Sequence, residues 1–367
     1  MRTTRVAAGV IAAVLLFVAA CGGGSGSGST TPSAASGAVE TVKLGGVSKA
    51  NAGNWFYLIA LNEGMFDKYK IKLDRILAPT SAAAITALLA GEVDLTGPTF
   101  DAGMQAQANA PAVKWIAMGY DKLPYTLISP KSVNSVQDLR GKTCGAQVPN
   151  AVDGLYIKMM ITGLSNGTMK AGTDYEVTAF GSAGLAPKVA ALNTGQVACV
   201  ATVPPEVGQL EAMGYKVLAR SSQVPGMTDF PFFGIVSTEK FYGQRPEVAA
   251  RMLAAVMEAE VFLYDPANKD RVIDILAKEA EVDRSAAAQA YEYVTTGGFR
   301  PDLKVKPSDL LTASRVLQAS GQNAPIPGLD EAKAAQLIAN GPADAAFKLL
   351  DPAMQKKVTD LTAGRGK

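Results

Sequence analysis

The chain contains no histidine among its 367 residues. That absence removes Ser-His-Asp and Cys-His catalysis in their usual forms, together with the commonest transition-metal ligand. Cysteine is scarce too: Cys21, Cys144 and Cys199 are the whole supply. They are too few and too widely spaced for a Cys-rich zinc site, so no metal and no cofactor is expected. Neither sign of charge is in excess. There are 35 Lys and Arg against 33 Asp and Glu, and without residues 1–20, which hold Arg2 and Arg5, the count is 33 against 33. A neutral surface lacks the basic stripe that nucleic acid requires, and a polybasic membrane patch. The apolar stretch Val6–Ala20 is about 15 residues, short of the roughly 20 that span a bilayer. What is present, 48% apolar and 19% charged residues, belongs to a folded globular chain rather than a disordered one.

The first residues have the make-up of an export signal: Arg2 and Arg5, an apolar core, then small residues ending Val18-Ala19-Ala20-Cys21. A spacer of Gly, Ser, Thr, Ala and Pro begins immediately after Cys21. The Val-Ala-Ala-Cys ending resembles the lipobox of bacterial lipoproteins, which implies a signal peptide over 1–20, a lipidated Cys21 and a flexible linker over 21–38. A diacylated cysteine supplies the two-chain anchoring that one acyl chain does not. The plainer alternative is an ordinary signal with a cysteine close by.

Roughly 325 residues follow the spacer, enough for two lobes. Thr41–Leu44 alternates as a strand, Asn54–Glu63 has helical spacing with Gly64 as its stop, and Ile71–Leu77 reads as a second strand. Ser81 is placed to cap a helix over 82–90 ending at Gly91, with a strand over Val93–Thr96. Alternating β and α predicts helices on mainly parallel sheets. The pattern recurs: Ala87-Leu88-Leu89-Ala90-Gly91-Glu92-Val93 is matched 104 residues later by Ala191-Leu192-Asn193-Thr194-Gly195-Gln196-Val197. Phe100-Asp101-Ala102-Gly103 likewise parallels Pro205-Glu206-Val207-Gly208, one register on. The repeat predicts two similar α/β lobes, lobe I over 39–129 and 237–352 and lobe II over 130–236, with 353–367 as a tail. Helices are expected at Arg245–Tyr264, Arg271–Ala280, Arg284–Val294 and Ser308–Ser320. Cys144 and Cys199 either pair in an oxidising compartment or pack as two small buried residues on separate strands.

Several segments resemble one family. Gly53–Ala60 with Glu63-Gly64-Met65-Phe66, Ala87-Leu88 with Gly91-Glu92-Val93-Asp94, and Val136–Lys142 look like the first helix, a helix-strand junction and the entry to lobe II of ABC-importer substrate-binding proteins. The type is that of nitrate, sulfonate, taurine and thiamine-precursor binders. The resemblance covers residues 41 to 265. Ala198-Cys199 and Val148-Pro149-Asn150 depart from the family pattern. The resemblance implies a two-lobed periplasmic-binding-protein fold of type II, a small solute in the cleft, a membrane permease as partner, and a monomer outside the cytoplasm. A ligand sensor on the same fold is the competing reading, and an enzyme on this scaffold is not expected.

In open α/β sheets, ligands sit beyond the carboxyl ends of strands, where helix N-termini offer free N–H groups. Those places give the candidate ligand-binding residues: Asn54, Trp55, Thr80, Ser81, Thr99, Asp101, Asn150, Asp153, Ser182, Thr202, Glu206, Asp229 and Phe230. Thr80 and Ser81 either donate to an anion or, for Ser81, only cap the helix. Acids in a first helical turn also serve the dipole alone. Core packing is the expected role of Phe56, Tyr125 and Phe232, whereas Trp55 and Phe230 are expected to stack on solute. Acids without an Arg or Lys in these loops favour a solute with an amine or amidine-like donor: a taurine-like zwitterion or an aminopyrimidine, with aromatic carboxylates and nitrate as alternatives.

Overall fold

The computed structural model describes residues 37–46, 54–150, 152–180, 184–296, 298–319 and 325–365. The leader, Cys21 with most of its spacer, and Ser182 lie outside the described residues. Ten strands are described: β1 Glu40–Gly46, β2 Ile71–Leu77, β3 Leu95–Thr96, β4 Val113–Tyr120, β5 Thr126–Ser129, β6 Thr143–Ala146, β7 Glu176–Ala179, β8 Cys199–Thr202, β9 Lys216–Arg220 and β10 Phe233–Thr238. They make two five-stranded sheets, ordered β2-β1-β3-β10-β4 and β7-β6-β8-β5-β9.

The two orders are the same topology written twice. In each sheet three parallel strands lead to one antiparallel strand, β10 or β5, which then pairs antiparallel with the last. The repeat 104 residues apart has a local cause. Helices Ser81–Ala90 and Leu185–Asn193 stop where Gly91 and Gly195 enter the left-handed region, at φ 77° and 69°, a conformation glycine adopts without a Cβ penalty. The following strands, β3 and β8, begin at Leu95 and Cys199.

The antiparallel strand in each sheet also moves the lobe boundary. β5, assigned to lobe I from sequence, belongs to the second sheet, and β10, read as closing lobe II, belongs to the first. Each is the strand that the chain lays down as it crosses between sheets, so the crossings run over 121–125 and 221–232 rather than at 130 and 236. Local patterning marks a strand but not the sheet it joins.

Helix Pro246–Tyr264 starts with Pro at its first turn and is buried over most of its circumference, its Met252, Leu253 and Val256 filling the main core. A smaller cluster under the second sheet gathers Ile128, Val200, Val207 and Leu210. The expected tail is folded: helix Pro352–Gly364 is capped by Asp351, which accepts from the Met354 N–H at 2.9 Å. Beyond it, Arg365 reaches Asp121 at 2.5 Å, at the first crossing. Among the described residues no helix is long and apolar enough to cross a membrane.

Candidate functional site

Three loops converge where the crossings meet the two sheets. After β3, Thr99 takes the N-cap position of helix Phe100–Asn109 in extended conformation and Asp101 falls in its first turn. The Phe100 N–H donates to the Phe232 carbonyl at 2.8 Å, tying this loop to the second crossing. After β6, Asp153 lies in the first turn of helix Val152–Leu164. Its carboxylate accepts from the N–H groups of Gln147 at 2.7 Å, Gly154 at 3.1 Å and Val148 at 3.4 Å, so its first task is to fold this loop. The turn is tight enough that a Cβ at Gly154 would stand 2.5 Å from the carbonyl oxygens of Val148 and Pro149. After β8, Glu206 opens helix Glu206–Ala212.

The lobes touch through a carboxylate. Tyr156, on the helix of lobe II, donates its hydroxyl to Asp101 Oδ1 of lobe I at 2.7 Å. Burial pushes the Asp101 carboxyl above the ordinary aspartate range, against the hydrogen bond from Tyr156 and the helix N–H groups. Burial also raises Asp153, opposed by its backbone donors and by Lys188. Glu206 takes a different partner: Lys188 Nζ lies 2.5 Å from Glu206 Oε2 and 3.0 Å from Thr202 Oγ1, and the Thr202 hydroxyl donates to Glu206 as well. Lys188 is 9% exposed.

Tyr125 is the hub. Its ring centroid is 4.6 Å from that of Tyr156 and 5.8 Å from that of Phe232, and Phe230 stands 5.9 Å from Tyr156. Its hydroxyl is held protonated by burial, reinforced by the negative charge of Asp153, Asp101 and Glu206. Three carboxylates thus face one ammonium around an aromatic floor. The surplus of negative charge suits a cationic group, and the N-termini of helices Phe100–Asn109 and Val152–Leu164 offer N–H donors to an anionic one. Among the described residues no cluster of acids and cysteines is arranged to hold a metal ion.

The family described as NMT1/THI5 like matches residues 51–268. The chain belongs to that family. No curated protein sequence matches it beyond chance. The fold of this NMT1/THI5-like chain is shared with solved structures at low identity. The periplasmic nitrate-binding protein NrtA from Synechocystis PCC 6803 is 15% identical over 87% of this chain and 91% of that one, with TM-score 0.67. The ligand-binding component of an ABC-type import system from Staphylococcus aureus, with zinc bound, is 15% identical over 84% and 99%, with TM-score 0.67. The periplasmic aliphatic sulphonate-binding protein SsuA from Escherichia coli is 16% identical over 82% and 92%, with TM-score 0.61.

In the NMT1/THI5-like chain, the predicted residues divide. Asp101, Asp153 and Glu206 bear electrostatically on Tyr125, with Thr99 at the cap of the Asp101 helix, Thr202 bonded to Glu206 and Phe230 packed on Tyr156. Thr80, not Ser81, caps helix Ser81–Ala90, accepting from the Ala83 N–H at 3.1 Å, because the N-cap must be extended and Ser81 is already helical. Asn54 is buried beside Trp55, which is 1% exposed and packs in the main core rather than offering a face to a solute. Asn150 is exposed and accepts from Lys158 at 2.7 Å, and Asp229 is exposed on the second crossing, turned to water. Sequence reading missed Tyr156 and Lys188, and it took the loops to be without a basic partner. Lys188 arrives from a helix instead. Its signal was a charged residue three after Leu185 and three before Ala191, on the face that the helix buries.

Proposed function

We propose that this protein is an extracytoplasmic solute-binding protein of an ABC importer, tethered by a lipid on Cys21, whose solute is a small zwitterion or aminopyrimidine. The observation that carries the reading is the meeting of Asp101 and Tyr156 across the two sheets, with Asp153, Glu206 and Lys188 around Tyr125. A solute ammonium or amidine displaces the Tyr156 hydroxyl as partner of Asp101, and a sulfonate or ring nitrogen is met by helix N–H groups and by Thr202. Asp153 and Glu206 act mainly by charge, since their oxygens are already engaged. Two of the compared proteins are named for nitrate and sulphonate binding, which fits a small polar solute. The lobes, 37–120 with 233–351 and 126–220, close on it as bodies hinged at the crossings.

Thermal unfolding of the purified protein with taurine, an aminopyrimidine, benzoate and nitrate tests the reading. A ligand at 100 times its dissociation constant adds about 2.7 kcal/mol of stability. The zwitterion or aminopyrimidine is expected to shift the midpoint, and Asp101→Asn to weaken it at least tenfold. A midpoint unmoved by all four solutes, or an Asp101→Asn protein with unchanged affinity, removes the solute assignment.

The composition of the 17-residue spacer over 22–38 leads us to expect a reach of about 20–25 Å, the value for a Gly/Ser-rich chain of that length and enough to reorient beside a permease. Cys21→Ser is expected to move the protein from the membrane to the soluble fraction with solute affinity intact. Retention in the membrane fraction would show that the leader, and not a lipid, is the anchor.

A further inference from the structure

A cavity of about 280 Å³ lies between lobe II and helix Arg284–Val294, lined by Pro204, Val207, Arg220, Ala290, Glu292 and Tyr293. Its walls are in close contact beside it: a Cβ at Gly208 would meet Gln289 Oε1 at 2.1 Å, and Gln289 donates to Glu211 at 2.7 Å. Arg220 ends β9, its backbone held by Thr126 of β5 and its N–H donating to Gln223 Oε1 at 2.7 Å. Its guanidinium stands over the Tyr293 ring, 5.1 Å from the centroid. The ion pairs of the described residues leave Arg220 without a carboxylate, and Glu292, the acid in the lining, is paired with Lys269. The cavity therefore joins a fixed cation to the apolar surfaces of Pro204, Val207 and Ala290 and an aromatic ring.

We infer that this cavity binds a small organic anion, a carboxylate or sulfonate with a flat apolar body, its charged end on Arg220 and its body against Tyr293 and Pro204. Guanidinium groups match both oxyanions through paired N–H donors, and the ring keeps the Arg220 fork flat and preorganised. The volume is near the lower end for small-molecule sites and suits a single substituted ring. The site prefers the charge opposite to that of the Asp101 cluster and stands independently of the solute assigned there. Because Pro204 and Val207 belong to lobe II and Ala290 and Tyr293 to the C-terminal helices, its occupant spans the seam.

Isothermal titration of the full-length protein in detergent with benzoate and benzenesulfonate tests the inference, with benzamide as the neutral isostere. Both anions are expected to bind one per chain, and benzamide at least tenfold more weakly. Arg220→Gln should lose at least tenfold in anion affinity and Arg220→Lys less, whereas Lys216→Gln, a charge removed from the half-buried start of β9 and outside the lining, should lose less than twofold. Ala290→Leu, which fills the cavity and leaves the charge, should also abolish binding, so that the result does not rest on one variant. Circular dichroism confirms that each variant folds. Absence of anion binding, equal binding of benzamide, or full affinity in Arg220→Gln or Ala290→Leu would overturn the inference.

Discussion

Replacing Cys144 and Cys199 together with alanine is expected to lower the free energy of unfolding by about 4 kcal/mol. The two cysteines are direct partners in the parallel pairing of β6 with β8, are joined by a disulfide, and are separated by 55 residues. A cross-link over a loop of that length removes about 4 kcal/mol of chain entropy from the unfolded state. Both side chains are fully buried, so losing the sulfur atoms adds a small packing cost. The consequence reaches the site, because β6 leads into the Asp153 loop and β8 into Thr202–Glu206. Urea unfolding of the alanine pair, set beside the wild type with and without reductant, measures the effect. The reduced wild type should fall close to the variant. A loss below about 1 kcal/mol would mean that the pairing constrains little.

Arg300→Ala is expected to cost about 3–5 kcal/mol, the range for breaking a buried ion pair. Arg300 is 4% exposed. Its Nη1 donates to Asp309 at 3.0 Å, and its Nε lies 3.7 Å from both Asp121 and Asp302. Without it, three carboxylates remain with Arg365 as the nearby cation. Asp121 already sits above the ordinary range through burial, held back by Arg365 and then Arg300. Glu260, fully buried on helix Pro246–Tyr264, is raised well above its usual value by burial, while Arg365 and Arg300 oppose. Losing Arg300 raises the folded-state pKa of Asp121 and of Glu260 further. A raised folded value destabilises above the unfolded pKa of about 4, and the penalty disappears once the acids are protonated in both states. The cost should therefore be larger at pH 7 than at pH 3, where the acids are protonated in both states. Urea titrations at both values, with Arg300→Lys as an intermediate, check it. An effect independent of pH would mean that Arg300 acts by packing alone. Asp121 opens the first crossing, so the same cluster fixes the hinge to lobe I.

Much of the architecture was legible along the chain because it is written in local chemistry. Gly91 at one helix cap and Gly195 just past the other both take the left-handed conformation, and the matching segments that contain them lie 104 residues apart in two sheets of one topology. The helix expected at Arg284–Val294 forms over those residues, and that expected at Arg245–Tyr264 begins one residue later, at Pro246. The helix beyond Asp351 was missed because its weakly amphipathic sequence is ordered by contacts, including Arg365 with Asp121. Within the site, the loops holding Asp101, Asp153 and Glu206 followed from the rule that ligands sit beyond strand ends. The partners of those acids did not. Lys188 and Tyr156 project from helix interiors, where a single residue of the wrong polarity is easily read as noise.

The sequence alone determined two α/β lobes, the family pattern and the loops that face each other. Periodicity, caps and turn residues act within a few residues of each other and survive without knowledge of the rest of the chain. Only the tertiary structure decided which sheet received β5 and β10, that Asp101 would meet Tyr156, that Lys188 would neutralise Glu206, and that Asp229 would face water. Those outcomes depend on pairings across 18 to 55 residues and more, where a charge's value is set by burial and by its neighbours in space rather than along the chain.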